Sequence, residues 1–252
     1  MEDGSRAVIA LFVGAALLTA CGGTQTGDGA GASQPAASQG AGPSASPACP
    51  NPHGGSCLDT LAAGTYTTQV FEPAINYTVA DGWSNYEDLI GNFLLVPPGG
   101  SLEGVDAGTS DYIGIYSSTA AIDGCNEGPA PGVGHTPDDI AAHLTSNVDG
   151  LAVTGPTAVE VGGLSGVVLD LEVQEGFTDG CDPAAPFTVV PVIIARSPSS
   201  FAHAVVTGLT MRLYLLERGR ETLSIEVNDL HDGSKLDEYS RLVEQLEFDT
   251  AE

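Results

Sequence analysis

The chain has 252 residues, enough for one or two domains, and it carries 33 Asp and Glu against 7 Lys and Arg, a formal net charge of −26. No Lys or Arg occurs between residues 7 and 195, so the basic stripe that phosphate neutralisation requires is missing and nucleic acid is excluded as a partner. Anionic membrane surfaces are disfavoured as electrostatic partners for the same reason, while 42% apolar content is enough to build a core.

Residues 7–20, AVIALFVGAALLTA, form an uncharged apolar run. The run is too short for a permanent membrane-spanning helix and has the length of a signal-peptide apolar region. It ends Leu18-Thr19-Ala20-Cys21, an aliphatic residue, two small ones and a cysteine, which resembles the bacterial lipoprotein signal. That resemblance implies removal of residues 1–20 and acylation of Cys21 as the first residue of the mature protein. A simple signal peptide would leave Cys21 as a fifth, unpaired cysteine in an exported protein, whereas lipidation leaves an even four. Two or three acyl chains hold a protein on a bilayer far better than one.

From residue 21 to residue 57 the composition turns to Gly, Ala, Ser, Gln and Pro, which cannot bury enough apolar surface to order the chain. A flexible tether lifting a head from the membrane is expected, with a reach of roughly 30 Å. Residues 58–252 read as one extracytoplasmic α+β domain. Short strands are expected at Thr65–Phe71, Ile75–Val79, Asn92–Val96 and Tyr112–Ser117, each bounded by Gly, Pro, Asp or Asn.

Thr136-Pro137-Asp138-Asp139 supplies an N-cap, a first-turn proline and first-turn acids for a helix. Ala158–Val161 and Leu164–Val173 form a hairpin about Gly162-Gly163. Phe187–Ala195 reads as a covered strand, with Pro191 marking an edge or bulge. Thr210–Leu216 and Thr222–Val227 form a second hairpin, in which Leu223, Ile225 and Val227 face one way and Ser224 and Glu226 the other. Ser234 and Asp237 open a last helix whose Leu236, Tyr239, Val243 and Leu246 share a face.

An early strand leading to YTVADGW, a first-half helix, the VEVGGLSG hairpin, the RLYLLERGRETLSIEV hairpin and a final helix occur in that order. The order is similar to that of extracytoplasmic lipoproteins with a PsbP-like fold. The resemblance implies a mostly antiparallel sheet with packed helices, an α/β/α sandwich, and a non-enzymatic binding or assembly role.

Chemistry is sparse. Cys49, Cys57, Cys125 and Cys181 contain no C-x-x-C, so zinc is poorly supported and two disulfides are the default for an exported chain. Of three pairings, Cys49 with Cys57 and Cys125 with Cys181 are favoured, because each of the latter follows an Asp-Gly pair. That second bridge would gather Asp123, Glu127, Asp179 and Asp182 beside Asn126, a candidate calcium site by ligand type that lacks the EF-hand pattern. The alternative is that these carboxylates are simply solvated.

Gly163-Leu164-Ser165-Gly166 misses the G-x-S-x-G spacing by one residue and lies in a hairpin rather than a nucleophile elbow. The five histidines show no metal spacing and read as polar surface or cap residues. Trp83 and Tyr86 are a candidate stacking platform, against a core role for the tryptophan. Arg212, Arg218, Arg220 and Arg241 are the candidate docking point for an anionic partner. No cofactor motif is present. The expectation is a lipid-anchored, non-catalytic domain of the cell envelope that binds a partner protein or ligand; the alternative is a secreted hydrolase with a site assembled from distant residues.

Overall fold

The computed structural model describes residues 60–126, 128–196 and 200–249. Within them the chain runs through β1 (Gly64–Thr67), β2 (Ile75–Val79), β3 (Ser84–Leu89), β4 (Asn92–Val96), α1 (Leu102–Asp106), β5 (Tyr112–Ala121) and α2 (Pro137–Asn147). It continues through β6 (Leu151–Val161), β7 (Leu164–Val173), β8 (Val189–Ala195), β9 (Phe201–Val206), β10 (Thr210–Arg218), β11 (Glu221–Asp229), α3 (Leu236–Val243) and β12 (Glu247–Phe248). Strand makes up 47% and helix 12% of the described residues, and the observed strand pairings are antiparallel.

The main sheet is ordered β3-β4-β5-β11-β10-β7-β6, and β8 pairs both β5 and β9. One edge of the ten-residue β5 is shared: Ile113–Tyr116 pair with β4, and Thr119–Ala121 pair with β8. The β8–β9 hairpin therefore starts where β4 stops.

Alternation along β10 separates two cores. Tyr214 and Leu216 join a cluster with Ile113, Ile115, Leu223, Ile225 and Val227, closed by Leu236, Tyr239 and Val243 of α3 and by Ile75, Tyr77 and Phe248 of the small sheet β1-β2-β12. Met211, Leu213 and Leu215 join the other, with Leu169 and Leu171, and Ile140, Ala141 and Leu144 of α2 and Val190, Val192 and Val205 of the β8–β9 hairpin close it. Thr136 caps α2 as expected, its hydroxyl accepting from Asp139 N at 3.3 Å.

Several expectations shift. The first strand ends at Thr67 rather than Phe71, while the strand expected at Ala158 starts at Leu151, seven residues earlier, with its pairing irregular around Gly155-Pro156. β3, β9 and α1 were not expected. The capping position of the last helix is Lys235, one residue later than Ser234, and has no side-chain cap of its own; Asp229 Oδ2 accepts from Lys235 N at 2.5 Å in that role. Leu246 lies beyond this helix but still in the core.

Candidate functional site

The face of β11 that carries Thr222, Ser224, Glu226 and Asn228 is polar, and all four residues are buried. On its neighbours in the sheet the same face carries Tyr112, Gly114 and Tyr116 of β5 and Asn92 and Leu94 of β4, since Gly114 pairs with Glu226 on one side and Leu94 on the other. Glu226 has a fully buried side chain, and its Oε2 receives the Tyr112 hydroxyl at 3.3 Å and the Tyr116 hydroxyl at 3.4 Å. His203 of β9 stands over it, 7% exposed, with Nδ1 3.1 Å from the same oxygen. Deeper along the face, Ser224 and Thr119 share a hydrogen bond of 2.6 Å.

The rings lock together. Tyr116 and His203 lie with centroids 4.0 Å apart, and Phe201 meets His203 at 4.6 Å and Tyr116 edge-on at 5.8 Å. Beside them opens a cleft of about 460 Å³, whose walls include Tyr86, Glu87, Asn92, Leu94, Tyr112 and Phe201. Asn92 donates its amide to Glu87. Three polar atoms around the cleft have no hydrogen-bond partner: Glu226 Oε1, Asn92 Oδ1 and His203 Nε2. Burial pushes the Tyr112 and Tyr116 hydroxyls well above their ordinary value of 10.0, and the adjacent Glu226 carboxylate adds to the rise. Both tyrosines are thus held as neutral hydrogen-bond donors, suited to binding rather than to proton abstraction.

A second cluster lies at the start of α3, where Asp111, Asp229 and His231 bring ligand atoms within 4.8 Å of one another. Each of its carboxylate oxygens is already engaged. Asp111 Oδ1 accepts from Leu230 N at 2.9 Å and Oδ2 from the Tyr239 hydroxyl at 2.9 Å; Asp229 Oδ1 accepts from His231 N at 2.6 Å and Oδ2 caps the helix at Lys235. Desolvation and Asp111 raise the Tyr239 hydroxyl. These two acids shape the turn from β11 into α3, which explains why they are buried.

Of the residues singled out in sequence, Cys125 and Cys181 are bonded, with Cα atoms 5.3 Å apart. Asp123 and Asp179 line a separate cavity of about 560 Å³ beside that bridge, while Asp182 accepts from Ala184 N at 2.9 Å. Among the described residues these three acids do not meet in a metal-sized group, the one such group being that of Asp111. Cys21, Cys49, Cys57 and Glu127 lie outside the described residues.

The stacking pair is split: Trp83 is 8% exposed in the core, edge-on to Tyr239 at 5.7 Å, whereas Tyr86 lines the cleft. A register shift between Asn85 and Glu87 separates the two aromatics. The arginines do not form one patch. Arg212 is bound through Nε and Nη2 to Asp170 at 2.7 and 2.9 Å, and Arg218 donates to the Ser117 carbonyl at 3.3 Å, about 20 Å further along β10. Arg220 and Arg241 are exposed.

His203 departs furthest from its expected surface role, because β9, which went unread, carries it into a buried pair with Glu226. No family model matches the chain, and no curated protein matches it.

Proposed function

We propose that this chain is a lipid-anchored, extracytoplasmic binding protein, tethered through Cys21, whose head takes the α/β/α arrangement of PsbP-like lipoproteins and holds a small ligand in the Tyr112–Tyr116–His203 cleft without transforming it. The cleft carries this reading: aromatic walls enclose a few convergent polar groups, which is the usual make-up of a small-molecule site, and Tyr112 and Tyr116 are held neutral. The sandwich detail is supported by α2 and α3 feeding clusters on opposite faces of the sheet, and the anchor by the LTAC sequence.

A second reading, the secreted hydrolase, draws on one specific observation: the cleft brings Glu87 to its wall and Glu226 beneath its tyrosines, two carboxylates at one site. Binding remains the better reading because Glu226 is sealed behind Tyr112, Tyr116 and His203.

One experiment addresses both. Cells making the wild type and Cys21→Ser are fractionated, and the wild-type chain is extracted in detergent for native mass spectrometry and for assay against glycoside and ester panels. The expected result is membrane retention only with Cys21, a small molecule that dissociates unchanged, and no turnover. Turnover abolished by Glu87→Gln would replace the binding reading with the hydrolase.

A further inference from the structure

The cavity of about 560 Å³ beside the Cys125–Cys181 bridge has the size of a small-molecule site. Three Asp-Gly turns reach it from separate parts of the chain. Asp123-Gly124 and Asp179-Gly180 each precede one cysteine of the bridge, and Asp149-Gly150 joins α2 to β6. All three aspartates stand in the cavity wall, and Asp149 and Asp179 are exposed. Asp123 accepts from the Asn126 amide at 3.0 Å, whereas Asp149 and Asp179 have no hydrogen bond or ion pair among the described residues.

The wall is negative from more than one source. No Lys or Arg lines it, and His143 is its single nitrogen base. Helix α2 also ends there, with Asn147 and Val148 in the wall and no basic residue in its last turn. The partial negative charge of a helix C-terminus therefore adds to that of the carboxylates. An anion would meet its own sign on three loops and at a helix end.

Phe177 gives the cavity an apolar side. Its ring lies so close against Gly150 that a Cβ there would fall 2.2 Å from a ring carbon, and its carbonyl accepts from the Thr188 hydroxyl at 3.3 Å. Val189 and Val190 stand in the same wall. Such a surface takes methylene groups, and the ring face also attracts ammonium. The three aspartates do not bring their oxygens together in a metal-sized group, so one small ion cannot engage them all. Charges spaced along an apolar chain can.

We propose that this cavity is a second binding site, for a linear alkyl diammonium whose charged ends pair with Asp149 and Asp179 and whose methylenes lie on Phe177. The site is separate from the Tyr112–Tyr116–His203 cleft, so its failure would leave the reading of that cleft untouched.

Calorimetric titration of the full chain in detergent, at roughly 0.15 M salt to screen exposed charges, compares cadaverine, n-pentylamine, pentanol and glutarate. Cadaverine is expected to bind about tenfold more tightly than pentylamine, with no heat from glutarate and less from pentanol than from either amine. Asp149→Asn/Asp179→Asn, at two exposed carboxylates without protein partners, should erase that advantage. Glu217→Gln/Glu221→Gln removes two exposed charges at the β10–β11 turn, outside the cavity wall, and should preserve it. Phe177→Leu should weaken both amines together. Equal affinity for the two amines, or an advantage that survives Asp149→Asn/Asp179→Asn, would overturn the proposal. An advantage lost equally in Glu217→Gln/Glu221→Gln would overturn it by assigning the binding to net charge, and calcium binding more tightly than cadaverine would replace it with a metal site. Binding of glutarate, or no heat from any probe, would also overturn it.

Discussion

Gly114 decides where Tyr116 can lie. A methyl group on it would fall 2.2 Å from the Tyr116 hydroxyl and 2.8 Å from the ring carbon that bears it, because the tyrosine folds back along its own strand to reach Glu226, the cross-strand partner of Gly114. The hydroxyl is the free end of a side chain, but His203 at 4.0 Å and Phe201 at 5.8 Å wedge the ring in place. Alanine in a strand is normally better than glycine by about 0.5–1 kcal/mol. Here the overpacking should win, and Gly114→Ala is expected to lose about 1–3 kcal/mol. Chemical denaturation with an unchanged m-value would measure that loss, and near-ultraviolet circular dichroism should report the displaced ring. A more stable Gly114→Ala protein would show that Tyr116 is not confined as described.

At the scale of elements, a single guanidinium joins two strands and a helix. Arg212 of β10 grips Asp170 of β7 with two nitrogens and reaches Asp237 and Ser240 of α3 with the third, at 2.9 and 3.2 Å. The hydrogen bonds to Asp170 lead in raising its already high basicity further. Asp237 is 85% exposed and adds little, so most of the worth lies in the fork onto Asp170. Arg212→Ala should therefore cost about 1–2 kcal/mol, and Arg212→Lys should recover only part, since one ammonium cannot satisfy both carboxylate oxygens in plane. Thermal melts of the two variants separate these outcomes; equal loss in both would mean that the fork geometry contributes nothing.

What the sequence revealed at this scale follows from how burial is distributed. The β10–β11 hairpin was legible because it has an apolar face at its own period, α2 because its cap, proline and first-turn acids mark its start, and the Asp-Gly-Cys repeats pointed to the Cys125–Cys181 bridge that is present. β3 was hidden because SNYEDL is polar and bulged, and the start of β6 because Gly155-Pro156 interrupts its pairing. The cleft was hidden for a subtler reason. Ser224 and Glu226 alternate with Leu223, Ile225 and Val227, a pattern that ordinarily marks a solvent face. The β8–β9 hairpin covers that face instead, and the groups meeting Glu226 come from 23, 110 and 114 residues away.

Across the described molecule, tyrosine is the ionisable residue most altered by folding. Burial raises the hydroxyls of Tyr77, Tyr112, Tyr116, Tyr214 and Tyr239 above 10.0, so the native state keeps protons that the unfolded chain releases. With fewer protons on the unfolded chain, stability falls as pH rises past about 10 and is unaffected by these groups at lower pH. Each fully protected tyrosine contributes a slope of about 1.4 kcal/mol per pH unit. Tyr112 and Tyr116, both hydrogen-bonded to Glu226, should together give about 3 kcal/mol per unit, enough to unfold a marginally stable domain within a few units.

The net charge of −26 offers a competing cause, since further ionisation increases self-repulsion. Salt separates the two: repulsion between exposed charges is largely screened at 1 M, where the Debye length is about 3 Å, whereas linkage through buried hydroxyls persists. Denaturant midpoints from pH 8 to 11.5 at low and high salt should keep most of the alkaline slope. The Tyr112→Phe/Tyr116→Phe double variant should lose about 3 kcal/mol per unit of it. A slope abolished by salt but untouched by the double variant would assign alkaline instability to surface charge and deny these tyrosines their buried, neutral state.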